Sequence, residues 1–234
     1  MRVLAIMCHP DDMEFYCAGT LLKYKKQGHE VITCHAANGN MGHMVIQPDE
    51  LRDIRRKEAV KASTMVGFEC VTADIGDLTV NAADEEQKMK ILKIIRDAKP
   101  DLIITHAPND YMIDHREVSK LVFDMSFAAS CPHFHPELGE AVPLMPLYYT
   151  STSDNVDFQP TEFVDITDEF ETVADMLRCH ESQLVWLKDH DGIDVIENQR
   201  TLAASIGMQC GATYAEGFAP CLVSGRLRTY RMLP

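Results

Sequence analysis

Four short apolar runs, each followed by a helical pattern, restrict this chain more than any other feature. The runs are RVLAIMC (2–8), HEVITCHAAN (29–38), FECVTADIG (68–76) and DLIITHAP (101–108). The first shows no polar alternation, as a strand buried on both faces requires. Helical patterns follow them: from Asp11 or Asp12 to about Gln27, closed by Gly28; over 49–66, stopped by Gly67; over 84–98, ended by Pro100; and over 114–129. Strand and helix alternating four times predict an α/β fold, a mostly parallel sheet with helices on both faces. Beyond it, a long loop is expected over 131–146, a fifth strand over 144–151, a short sixth over 163–166, and helices over 168–189 and 196–211. No linker or internal repeat interrupts the pattern, so residues 1–234 read as a single domain.

In such a sheet a ligand sits beyond the carboxyl ends of the strands. His9, Asp11 and Asp12 follow the first strand, residues 38–43 the second, and Asp77 the third. His106, Asn109, Asp110, Asp114 and His115 follow the fourth. The polar residues therefore converge on one rim. HPDD (9–12) puts two adjacent carboxylates at the end of an apolar strand. Burying them requires a metal or a set of backbone donors. His9 and Asp12 can face one centre across the turn. His115 ends the fourth strand, which a doubly wound topology commonly sets beside the first. Two imidazoles and one carboxylate make a catalytic zinc set with one position left open. Asp11, beside the ligands, is then placed to act as general base and afterwards as acid. Read alone, the two aspartates also fit a helix cap or a magnesium or phosphate site. His35 and His133 read as ordinary loop or surface histidines, and His106 as a near-core histidine or a member of the site.

Composition removes several classes of function. A formal net charge of -14 makes nucleic acid a poor partner. No apolar stretch reaches the roughly 18 residues of a membrane span. The first apolar run ends at His9 with no cleavage site after it, so no signal peptide is expected. The eight cysteines include no C-x2-C pair, which suggests reduced thiols in a cytoplasmic protein. The absence of G-x-G-x-x-G after the first strand argues against a nicotinamide-dependent dehydrogenase.

Seven blocks stand in a specific order: HPDD, CAGTL (17–21), RRKEAVKASTMVG (55–67), IGD (75–77), DLIITHAPNDYMIDHR (101–116), CHESQ (179–183) and GATYAEGF (211–218). Together, over most of the chain, they resemble the PIG-L / LmbE-like deacetylases. The resemblance implies a Rossmann-like fold and a zinc-dependent amide hydrolase. Such an enzyme removes the acetyl group from an N-acetylglucosamine-containing small molecule or glycoconjugate, giving acetate and a free amine. It implies His9, Asp12 and His115 as metal ligands, Asp11 as general base and Asp114 as a supporting catalytic aspartate. Arg55 and Asp77 fall where the family often holds sugar hydroxyls; a solvated helix face and a turn cap are their structural alternatives. A homo-oligomer, dimer or hexamer, is implied by the same analogy.

Two positions depart from the family pattern. Met13 stands where the family has glutamate, with Glu14 next, and MIDH (112–115) replaces HPDH. Met112 thus occupies the place of a histidine that steadies the tetrahedral intermediate, and a thioether donates no hydrogen bond. His43, Tyr111 and His133 are the candidate replacements. The loops 39–48 and 131–146 are expected to flank the entrance. A catalytically weakened metal- or sugar-binding homologue, or a hydrolase of another N-acyl or carbamoyl group, are the competing readings.

Overall fold

The computed structural model describes residues 1–234. Its sheet has seven strands: β1 (Arg2–Met7), β2 (Glu30–Ala37), β3 (Glu69–Ile75), β4 (Leu102–Thr105), β5 (Leu147–Thr150), β6 (Glu162–Asp165) and β7 (Ala215–Pro220). Their order is β3-β2-β1-β4-β5-β7-β6. Neighbours from β3 through β5 are parallel, while β7 runs antiparallel to both β5 and β6. The order reverses between β1 and β4, which pair from Val3 with Leu102 to Ile6 with Thr105. That switch point sets the ends of the two strands side by side, as expected for a doubly wound topology.

Eight α-helices accompany the sheet: α1 (Asp12–Tyr16), α2 (Ala18–Lys26), α3 (Pro48–Met65), α4 (Glu85–Ala98), α5 (Ile113–Ala128), α6 (Phe170–Leu177), α7 (Glu181–Asp191) and α8 (Val195–Cys210). β1 feeds two cores. Val3, Ala5 and Met7 pack with Leu21 of α2 and Phe170 of α6. Leu4, Ile6 and Cys8 pack with Ile91 of α4 and Leu121 of α5. Both faces are covered, so the strand needs no polar alternation. No helix is long and apolar enough to cross a membrane.

The structure corrects four details. The helix expected to run unbroken to Gln27 is interrupted at Cys17 (φ -154°, ψ 1°), which separates α1 from α2. The helix expected over 168–189 is likewise split into α6 and α7, and the break turns His180 inward. β7 starts within GATYAEGF, a block whose two glycines and two separated aromatics give no strand period. The fourth correction is functional. The 131–146 loop is tied to Arg96 near the end of α4, through the carbonyls of Cys131, Phe134 and His135. Because α5 runs back against the strands, this loop follows the end of α5, away from the rim that carries His9, Asp12 and His115. The segment after β5 takes its place, with Ser153 and Asp154 at the cavity.

β7 fixes the start of α2. Both Glu216 carboxylate oxygens accept backbone N–H groups, from Gly19 and Thr20, each at 2.8 Å. The orphan donors of a helix N-terminus are thereby satisfied from a neighbouring strand. Gly19 is required there, since a Cβ would meet Ile166 at 2.6 Å. Burial pushes the Glu216 carboxyl up to about 7 from its usual 4.5. Between those values the folded chain holds a proton that the unfolded chain releases, so this group's contribution to stability falls as pH rises through the window. Urea unfolding at about pH 5 and about pH 8 should show that decline in the wild type and a smaller one in Glu216→Gln. Parallel behaviour of the two proteins would mean that the carboxyl is ionised throughout.

Candidate metal centre

The turn from β1 into α1 is closed by hydrogen bonds of its own. The His9 carbonyl accepts from Asp11 and Asp12 N–H, and the His9 N–H donates to Asp12 Oδ2 at 2.6 Å. His9 and Asp12 are thereby brought together, and α5 adds His115 from the neighbouring strand end. His9 Nδ1 lies 3.5 Å from Asp12 Oδ2, and His115 Nε2 lies 3.3 Å from both. All three residues are buried. Donors about 2.0–2.1 Å from a tetrahedral zinc stand roughly 3.3–3.4 Å from one another, so these three atoms fit one ion. Cys8 also approaches the group, but burial pushes its thiol up to about 12, which keeps it protonated. Burial opposes the charges of Asp12 and His115, yet their attraction prevails: Asp12 is held well below the usual carboxylate range and His115 is lifted to about 9. A divalent cation held by Asp12, His9 and His115 would supply the positive charge that this proton now supplies.

A carboxylate stands behind each imidazole. Asp114 Oδ2 is 3.6 Å from His9 Nε2 and accepts the Leu78 N–H at 2.7 Å. Asp110 Oδ1 is 3.3 Å from His115 Nδ1, a nitrogen with no better-aligned partner. Asp110 is itself anchored by Met112 N–H (2.9 Å), Ser153 N–H (2.8 Å) and Ser153 Oγ (2.9 Å). Both carboxylates favour the tautomers that aim His9 Nδ1 and His115 Nε2 inward. Sequence reasoning placed Asp110 on the rim without a role; its signal was the position five residues before His115 in a loop that must turn. His106 completes the base. It stacks on His115 with centroids 3.9 Å apart, and its Nε2 accepts the Cys8 N–H at 2.9 Å. Burial pushes His106 down to about 4, so it packs as a neutral ring.

The other expected residues divide. Asp11 opens onto the cavity and accepts from Arg55 Nη2 at 2.9 Å. Arg55 is not a solvated helix residue: it is buried, and Nη1 donates to the Gly39 carbonyl at 3.2 Å. Gly39 has φ +77°, and a Cβ there would meet the Arg55 side chain at 2.6 Å. Asp77 accepts the N–H groups of Gly39 (2.8 Å) and Met41 (3.0 Å), which shapes the 39–41 loop at the cavity edge. Glu14 does not take over the place of Met13, because it is buried beside His180, 3.5 Å away, outside the donor trio. His43, Tyr111 and His133 are not on the cavity wall. His43 Nδ1 accepts from Val45 and Ile46 N–H while its ring packs on Trp186. The side chain of Tyr111 is turned to solvent, being 86% exposed, and His133 belongs to the 131–146 loop. The cavity measures about 410 Å³. Its acidic base is ringed by Phe15, Tyr16, Leu78, Met112, Leu187 and Leu202.

If Asp110 orients His115, Asp110→Asn should weaken zinc binding by about 10–100-fold, read by competition with a chromophoric chelator. Its circular dichroism should match the wild type. Unchanged affinity would remove Asp110 from the support of the site.

A family model described as PIG-L, GlcNAc-PI de-N-acetylase, matches residues 4–126. The diacetylchitobiose deacetylase of Thermococcus kodakarensis is 29% identical over 232 residues, which span 92% of this chain and 81% of that one. The 4-oxalmesaconate hydratase of Pseudomonas putida is 22% identical over 191 residues, 77% of this chain and 73% of that one. Among solved structures, the N,N'-diacetylchitobiose deacetylase of Pyrococcus horikoshii superimposes with a TM-score of 0.79 at 27% identity, over 94% of this chain and 83% of its own. The matched segment contains the whole donor trio and both carboxylates behind it, and the chain belongs to the PIG-L family of de-N-acetylases.

Proposed function

We propose that this protein is a zinc-dependent N-deacetylase that releases acetate from an N-acetylglucosamine-containing small molecule or glycoconjugate. The observation that carries this reading is Asp11, a carboxylate open to the cavity next to three donor atoms spaced for one ion. The mixed imidazole and carboxylate set suits zinc, which supplies Lewis acidity and an activated water near neutral pH. The remaining work falls to the chain. Arg55 holds Asp11 by Oδ1, which leaves the other oxygen free to take the proton of the attacking water. The same carboxyl then returns that proton to the departing amine, the poor leaving group that makes amides resistant to hydrolysis. Asp77 and the 39–41 loop bound one side of the space that a sugar ring would fill. Eight unpaired cysteines favour a reducing, cytoplasmic setting.

The hydratase relative raises a water-addition reading for the same cavity. A substrate bearing several carboxylates, as an oxalmesaconate does, needs cations to receive them. Arg55 is the one lysine or arginine on the wall, and it is committed to Asp11 and the Gly39 carbonyl. An uncharged saccharide suits this wall better.

Zinc-loaded protein should release acetate from N,N'-diacetylchitobiose or another N-acetylglucosaminide, lose that activity to a chelator and regain it with added zinc. Asp11→Asn should keep its zinc and lose about 10²–10⁴-fold in turnover. Full turnover in that variant would remove Asp11 from the chemistry, and silence of the wild type across an N-acetylglucosaminide panel would overturn the reading itself.

A further inference from the structure

The proposed hydrolysis lacks one component. As the acetyl carbonyl becomes tetrahedral, charge develops on its oxygen, and a hydrogen-bond donor aimed there is usually a large part of catalysis. Met112 lines the cavity at the position of the family's histidine and donates nothing. The three replacements suggested by sequence do not reach the wall. Several donors that do reach it are already engaged. Arg55 holds Asp11, Gln183 donates to the Gly42 carbonyl at 3.2 Å, and Ser153 Oγ donates to Asp110 at 2.9 Å. Asn198 sits on the exposed outer part of α8.

Tyr16 is placed differently. It stands four residues after Asp12 on α1, hence on the same helix face one turn away. Its ring meets His115 edge-on with centroids 6.0 Å apart, and His106 at 5.4 Å. The side chain lines the cavity yet is only 9% exposed, so it belongs to the base beside the donor trio. Its hydroxyl lies 3.2 Å from Ser153 Oγ. The single Ser153 proton is engaged with the Asp110 carboxylate, so the phenol must be the donor in this contact. The contact is long for a hydroxyl pair, whose usual separation is about 2.7–2.8 Å. A weakly held donor at the base of the cavity is free to turn to a stronger, anionic acceptor.

We propose that the Tyr16 hydroxyl is the catalytic donor that holds the developing oxyanion, the role left open by Met112. The inference rests on the deacetylase reading. Tyr16 contributes a hydrogen bond and keeps its proton; the proton that moves is the one carried by Asp11.

The test uses zinc-loaded wild type, Tyr16→Phe, Met112→His and the double variant, assayed for acetate release and for binding of a methylphosphonyl analogue of the N-acetylglucosaminide. Tyr16→Phe should lower kcat by about 100-fold with KM and zinc content unchanged, and weaken the tetrahedral phosphonate by a similar factor. Adding Met112→His to Tyr16→Phe should restore at least about tenfold in kcat, while Met112→His alone gains much less, because one donor already serves the oxygen. Wild-type kcat and phosphonate affinity in Tyr16→Phe would overturn the proposal, and so would a loss confined to zinc content. If the wild type releases no acetate, the deacetylase reading fails on its own. The phosphonate comparison between tyrosine and phenylalanine then still decides whether the hydroxyl serves a tetrahedral anion.

Discussion

Everything around the cavity depends on keeping one carboxylate, Asp12, charged while it is almost out of contact with water. An isolated buried carboxylate costs several kcal/mol even after relaxation, on the order of the total stability of a domain. Here Asp12 Oδ2 receives the His9 N–H at 2.6 Å and stands within 3.5 Å of three imidazoles. Each neighbour comes from a different part of the chain: the turn after β1, the end of β4, and the first turn of α5. The β1–β4 switch is thus more than a place where a ligand can sit. It brings the turn after β1 next to the end of β4, and there these side chains meet.

Much of this was legible because it followed from periodicities. Apolar runs without alternation required strands covered on both faces, and β1 divides its side chains between two cores as that pattern demands. The polar residues after four successive strands had to share one rim, and they do. What stayed hidden were contacts between segments far apart in sequence. No local signal ties Asp110 to Ser153, 43 residues away, or α2 to Glu216, 197 residues from Gly19. The loop at 131–146 was misplaced for a related reason: its prolines and histidines resemble a binding loop, but the direction of α5 decides which end of the sheet it reaches. Arg55 and Asp77 were legible as residue types and not as partners, since a guanidinium buried against Gly39 cannot be told from one in solvent by sequence alone.

The two methionines mark how this chain departs from its relatives, and they have different consequences. Met13 is absorbed into the core under α1, where it is 1% exposed. The next carboxylate on α1, Glu14, stands one residue along, and a helix turns about 100 degrees per residue. Glu14 therefore points to His180 on the far side of α1 and forms a buried pair remote from the donor trio. Met112 stays at the cavity and takes a donor away from it.

Asp114 has two partners at once. Its carboxylate stands between His9 Nε2 on one side and the Leu78 N–H on the other. Leu78 adopts φ +62°, a left-handed conformation that costs a non-glycine residue about 1–2 kcal/mol. Its side chain is 72% exposed, so burial of that side chain does not explain the conformation. The bond to Asp114 does, since a charged acceptor outweighs strain of this size. One carboxylate therefore sets both the orientation of an imidazole of the donor trio and the position of an apolar side chain at the cavity mouth. Substitutions at Asp114 would disturb the His9 ring and the Leu78 turn together, whereas Tyr16 and Asp11 reach the cavity without holding its donor trio in place.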